Sequence, residues 1–93
     1  MSVSEPSTLL ASLPRATSAS VTAIDWHLLS DNEARRLREF GLDDGVEVEL
    51  LQPSGLLRGP LSVRIGRMTI AIRHHVAGAI HVTAKPRPAK AAA

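Results

Sequence analysis

Between Ser30 and Leu50 the chain spells out a helix, a stop, a turn and a strand, in that order. Ser30-Asp31-Asn32-Glu33 fits a capping box, with a serine N-cap and a glutamate at the third helical position. Asp31 and Glu33 also put negative charge in the first turn, where the helix dipole favours it. Ala34, Leu37 and Phe40 recur at helical spacing and make one narrow apolar stripe. Arg35, Arg36, Arg38 and Glu39 cover the rest of the circumference. Gly41 stands where a left-handed C-cap glycine is expected, and Gly45 completes a turn. Val46-Glu47-Val48-Glu49-Leu50 then alternates with period two. The pattern predicts a helix over 31–40 feeding directly into a half-buried strand over 45–51.

The remaining pattern is β. Ser18 to Ile24 is rich in β-branched residues and is the expected first strand. Asp25-Trp26-His27-Leu28-Leu29 connects it to the helix. Gln52-Pro53-Ser54-Gly55 breaks the second strand, because proline and glycine punctuate locally. Leu61-Ser62-Val63-Arg64-Ile65 and Met68-Thr69-Ile70-Ala71-Ile72-Arg73 both alternate, and the two residues between them, Gly66-Arg67, suit a type II′ hairpin. His74 to Gly78 is a single helical turn and Ala79 to Val82 a short closing strand. Leu9, Leu10 and Leu13 form a small apolar group, one helical turn that could cap an open end of the core. A sheet this small avoids exposed edges by curling. The expected fold is mainly β: a five-stranded SH3-like barrel with one inserted α-helix and a short helical turn before the last strand. Its expected core is Val21, Ala23, Leu37, Phe40, Leu42, Val46, Val48, Leu50, Leu61, Val63, Ile65, Met68, Ile70, Ile72, Ala77, Ile80 and Val82.

At 93 residues the chain has room for one domain. The expected division is a flexible arm over 1–7, the domain over 8–82 and a basic flexible tail over 83–93. There is no cysteine, which removes disulfides, thiolate zinc sites and iron–sulfur clusters. The longest apolar run is too short to span a bilayer, and no basic leader precedes a long apolar segment, so a cytoplasmic location is expected. The formal net charge of +2 hides an asymmetry. All nine acids lie at or before Glu49, while seven basic residues follow it. Three of those seven are Lys85, Arg87 and Lys90 in the tail, so the domain itself is near neutral. A solvated surface is the plain explanation; a basic face meeting an acidic partner is the sharper one.

Little in the chain suggests catalysis. No paired carboxylates, nucleophile elbow or phosphate-binding loop can be found, since no Gly-Lys-Ser/Thr follows Gly41 or Gly45. No enzymatic activity and no cofactor are expected. Asp25, His27, His74 and His75 are weak candidates for metal ligands. Adjacent histidines diverge, whereas a metal needs ligands converging on one point, so surface histidines are the simpler account.

At Arg36-Leu37, Phe40-Gly41-Leu42, Gly45 and Val46-Glu47-Val48 the chain resembles the FeoA family, small cytoplasmic proteins of bacterial ferrous iron uptake. The resemblance continues at Gly59-Pro60-Leu61 and through Ile70-Ala71-Ile72-Arg73, Ala77, Ile80 and Val82. Gly59 stands where the family usually has an acid, and Pro14-Arg15-Ala16 replaces a Pro-Gly. The resemblance implies an SH3-like fold, also similar to the C-terminal domain of iron-dependent repressors, and action through contact with the cytoplasmic part of the membrane transporter FeoB. Weak self-association stays open. The alternatives are a small nucleic-acid-binding barrel and a metal-sensing module. The first is disfavoured by a near-neutral domain without aromatic platforms.

The expected contact surface has two parts. Arg64, Arg67 and Arg73 would steer an acidic partner, and Leu56 and Leu57 in the preceding loop would hold it. The Arg35-Arg36-Leu37 segment of the helix is the next candidate.

Overall fold

The computed structural model describes residues 7–55 and 58–84. Six antiparallel strands form one sheet: β1 (Ser7–Leu9), β2 (Thr17–Ile24), β3 (Glu47–Gln52), β4 (Leu61–Ile65), β5 (Met68–Ile72) and β6 (Ile80–Ala84). Helix α1 (Asp31–Glu39) lies between β2 and β3, and the short α2 (His74–Ala77) between β5 and β6. The strand order is β1-β6-β2-β3-β4-β5. The expected five strands are all present, and β1 is the sixth. Among the described residues β1 and β5 do not pair with each other, so the sheet is SH3-like but not closed.

Helix α1 forms as its sequence dictates. Ser30 Oγ accepts a hydrogen bond from the Glu33 N–H, and Glu33 Oε1 accepts one from the Ser30 N–H, completing the capping box. At the other end Gly41 adopts φ +83°. Its N–H reaches the Arg38 carbonyl and the Leu42 N–H reaches the Leu37 carbonyl, each at 3.0 Å. These two bonds define a Schellman motif, and Leu37 and Leu42 are both buried in the core beneath it. The chain then clips onto β2 through reciprocal bonds, Val21 N–H to Val46 O at 2.9 Å and Gly45 N–H to Val21 O at 2.7 Å.

The hairpin is also as expected. Ile65 pairs with Met68 across a two-residue turn, Gly66 has positive φ, and Arg67 does not, which selects type II′ over type I′.

The core gathers aliphatic side chains from every strand except β1, and Leu10, Leu50, Leu61, Val63, Ile80 and Val82 are wholly buried. The 3₁₀ turn over Leu10–Ser12 sends Leu10 inward, and Leu13 follows it, so the apolar group near the start does cap the core. Two expected core residues are outside. Ala23 is exposed because β2 carries a bulge: Val21 pairs with Val82 and Ala23 with His81. One extra residue on β2 inverts the alternation, so Ile24 turns inward in its place. Met68 is 41% exposed, because it sits at the hairpin end of edge strand β5, where among the described residues only β4 flanks it. At the far end β6 runs to Ala84, two residues past the expected strand, with Thr83 facing Ser7 on one side and Ser20 on the other.

Candidate docking surface

Two depressions lie side by side where α1, the end of β5 and α2 meet. The larger, of about 400 Å³, is lined by Glu33, Arg36, Leu37 and Phe40 from α1 and by Ile72, Arg73 and Val76 opposite, among others. Its floor is apolar because the α1 stripe and the inward residues of β5 and α2 converge there. The smaller, of about 330 Å³, is lined by Arg58, Gly59, Pro60, Arg73, His74 and His75. Arg73 forms part of both walls.

Polar links hold these walls in place. Glu33 Oε2 lies 2.7 Å from His75 Nε2, so one carboxylate caps α1 and ties it to α2. The Ser30 N–H, and after it the His75 ring, hold the Glu33 carboxyl below the usual carboxylate range. Ser54 Oγ lies 2.6 Å from the Gly59 carbonyl and 3.0 Å from His74 Nδ1. A carbonyl only accepts, so the hydroxyl hydrogen goes to Gly59 and Nδ1–H of His74 donates to Ser54. In the neutral ring Nε2 then carries the lone pair.

The arginines differ in what they meet. Arg64 lies opposite Glu49 on the neighbouring strand, with 3.7 Å between the charged groups; Arg64 is exposed and Glu49 half-buried. Arg35 donates to Asn32 Oδ1, and the Arg38 guanidinium lies 4.5 Å above the Trp26 ring. Arg67 stands at the hairpin tip. Arg73, Arg36 and Arg58 have no carboxylate partner among the described residues.

The three arginines expected to form one surface are therefore separated. Arg64 opposes Thr69, and Arg73 lies four residues further on, about 13 Å along the strand. Arg64 and Arg67 belong to the hairpin end, Arg73 to the cleft. Leu56 and Leu57, and the tail from Lys85, lie outside the described residues. The candidate metal ligands are dispersed too: Asp25 Oδ2 meets His81 Nε2 at 2.8 Å, His74 meets Ser54, His75 meets Glu33, and His27 is exposed in the 3₁₀ turn over Trp26–Leu28. Among the described residues no three His, Asp or Glu side chains converge as a metal site would require. Sequence reasoning missed Glu33, Ser54 and His81 as partners, for no local signal links Asp25 to a residue 56 positions away.

The FeoA domain profile matches residues 8–84, nearly the whole described chain. This protein belongs to the FeoA family. The family is associated with ferrous iron transport. Among solved structures, FeoA of Stenotrophomonas maltophilia is 35% identical, with 81% of this chain and 88% of that one covered and a TM-score of 0.69. That protein, complexed with zinc, is described as a prokaryotic SH3-domain protein and a candidate activating factor for bacterial ferrous iron transport. FeoA of Chlorobium tepidum is 22% identical over 91% of this chain and 85% of that one, with a TM-score of 0.70. The T. acidophilum protein IdeR shares the fold at 22% identity and a TM-score of 0.71; the match covers 89% of this chain and 37% of IdeR. No curated protein matches the chain. Among the described residues no helix is long and apolar enough to cross a membrane.

Proposed function

We propose that this FeoA protein is a cytoplasmic, non-catalytic accessory of ferrous iron uptake that works by binding the cytoplasmic part of the FeoB transporter. The observation that carries this reading is the FeoA domain match over residues 8–84. The surface is consistent with it. The larger of the two depressions offers apolar side chains and guanidinium groups that have no carboxylate partner among the described residues, which suit recognition. Arg64 and Arg67 at the hairpin end steer an acidic partner from a distance, weakly in the case of Arg64, whose charge Glu49 partly offsets.

The test is a binding measurement with the purified cytoplasmic part of FeoB, with and without guanine nucleotide. Saturable binding by the full chain is expected. Arg64→Glu with Arg67→Glu should slow association, and the defect should shrink as salt rises. No binding in any nucleotide state would end the proposal.

A further inference from the structure

The two depressions are neighbours, and Arg73 is the wall they share. We propose that together they form one bipartite groove that takes an extended acidic peptide segment of the partner, an inference that rests on the FeoB reading above and gives its contact a chemistry. An apolar side chain of the peptide seats against Leu37, Phe40, Ile72 and Val76. Carboxylates flanking it meet Arg36 and Arg73, and a further one meets Arg58.

Arg35, Arg38 and Arg64 each have a partner within the protein, whereas Arg36, Arg73 and Arg58 have none among the described residues. Arg15 and Arg67 also lack a carboxylate partner among the described residues but line neither depression. Glu33 is the one carboxylate lining the larger depression, and both its oxygens are already engaged, by the Ser30 N–H and by His75. The groove therefore presents guanidinium groups over an apolar floor, and among the described residues the carboxylate oxygens that line it are already hydrogen-bonded elsewhere. Guanidinium–carboxylate pairing beside a desolvated apolar contact is what gives such a site both direction and hold.

The shape favours a chain over a small ligand. The groove runs past the end of β5, an edge strand with no neighbour on its far side among the described residues. An extended segment alongside it presents alternate side chains to the groove, so apolar and acidic residues can face it at every second position.

The experiment titrates the isotope-labelled full chain with a synthetic octapeptide alternating leucine and aspartate, followed by amide NMR. Shifts are expected at residues 33–40, 58–60 and 71–76. Replacing aspartate by asparagine in the peptide, or Arg36→Gln with Arg73→Gln in the protein, should weaken binding by about tenfold or more. Both arginines are exposed, so the variant keeps its fold, which its amide dispersion verifies. Absence of shifts, shifts centred on β2 and β3, equal binding of the asparagine peptide, or the same shifts with guanosine diphosphate alone would each overturn the proposal. The two readings fail separately. If the FeoB part binds parent and double variant equally, the groove is wrong and the partner stands. If the peptide binds as expected and the FeoB part does not bind at all, the groove stands and the partner is wrong.

Discussion

The two edges of the sheet are finished in different ways. At one edge β1 is three residues long, and the turn that follows it drives Leu10 and Leu13 into the core. At the other, β5 is five residues long, leaves Met68, Thr69 and Ala71 exposed, and among the described residues has a cleft in place of a neighbouring strand. The first edge is sealed by apolar burial. The second is bordered by α1 and α2, which are joined to each other by a carboxylate–imidazole contact. Basic residues, Arg67 and Arg73, stand at both ends of β5, a common way for a chain to discourage indiscriminate edge pairing. The contrast teaches where stability and recognition are divided: burial closes one side, and hydrogen bonds hold the other around an open groove.

The comparison can be broken most forcefully at the sealed edge. Leu10→Ala removes a wholly buried side chain and should cost about 2–5 kcal/mol in chemical denaturation. A loss below about 1 kcal/mol would mean that the turn is dispensable and that the two edges are alike.

The next test lies on the open side. Gly41→Val should cost about 1–2 kcal/mol, read from a thermal or denaturant melt, because φ there is +83° and a β-branched residue resists it. Apart from Gly41 itself and its chain neighbours, no described atom lies within 4 Å of a Cβ built there, so a Cβ meets no steric clash and the cost is conformational. An unchanged midpoint would remove the Schellman cap from the account of α1.

A smaller effect is expected from acid. The Glu33 carboxyl is lowered in the folded protein, so its contribution is present above the ordinary carboxylate range and is lost as pH falls through the folded value. Glu33→Gln should flatten that part of the stability–pH curve and raise amide exchange at the start of α1 more than in β6. Equal exchange in both places would show that the carboxylate does not hold the open side.

The smallest effect belongs to Met68→Ser. At 41% exposure on an edge, its loss should stay within about 0.5 kcal/mol in the same melt. A larger cost would show that the hairpin tip is packed and the open edge better sealed than it looks.

What could be read in advance from the amino-acid order was whatever is local. Ser30, Glu33 and Gly41 announce α1 within a dozen residues, and Gly66-Arg67 announces the hairpin, because each signal acts through its own backbone. Ser7-Thr8-Leu9 announces nothing. It becomes β1 only because Thr8 meets Val82, and its three residues show too little alternation to register. Ala23 misleads for a related reason: a bulge is set by the partner strand, and a single chain written out in line does not show it. The groove is the extreme case. Arg36 looks like an ordinary helix arginine and Arg73 like a strand end, and only the packing of α1 against the end of β5 makes them two walls of one site.

The pairing of Ser7 with Thr83 has a consequence for how such a unit is used. The described chain leaves the sheet on the rung where it came in, so its two ends sit side by side. A unit with adjacent ends can be spliced into, or hung from, a larger polypeptide without stretching either attachment. That suits a fold found both in FeoA proteins of similar length and as little more than a third of IdeR. In strand order β6 stands four places and β1 five places from β5, the strand whose end lines the groove. Portability and recognition are thus assigned to different strands, and either can be altered by evolution or design with little disturbance to the other.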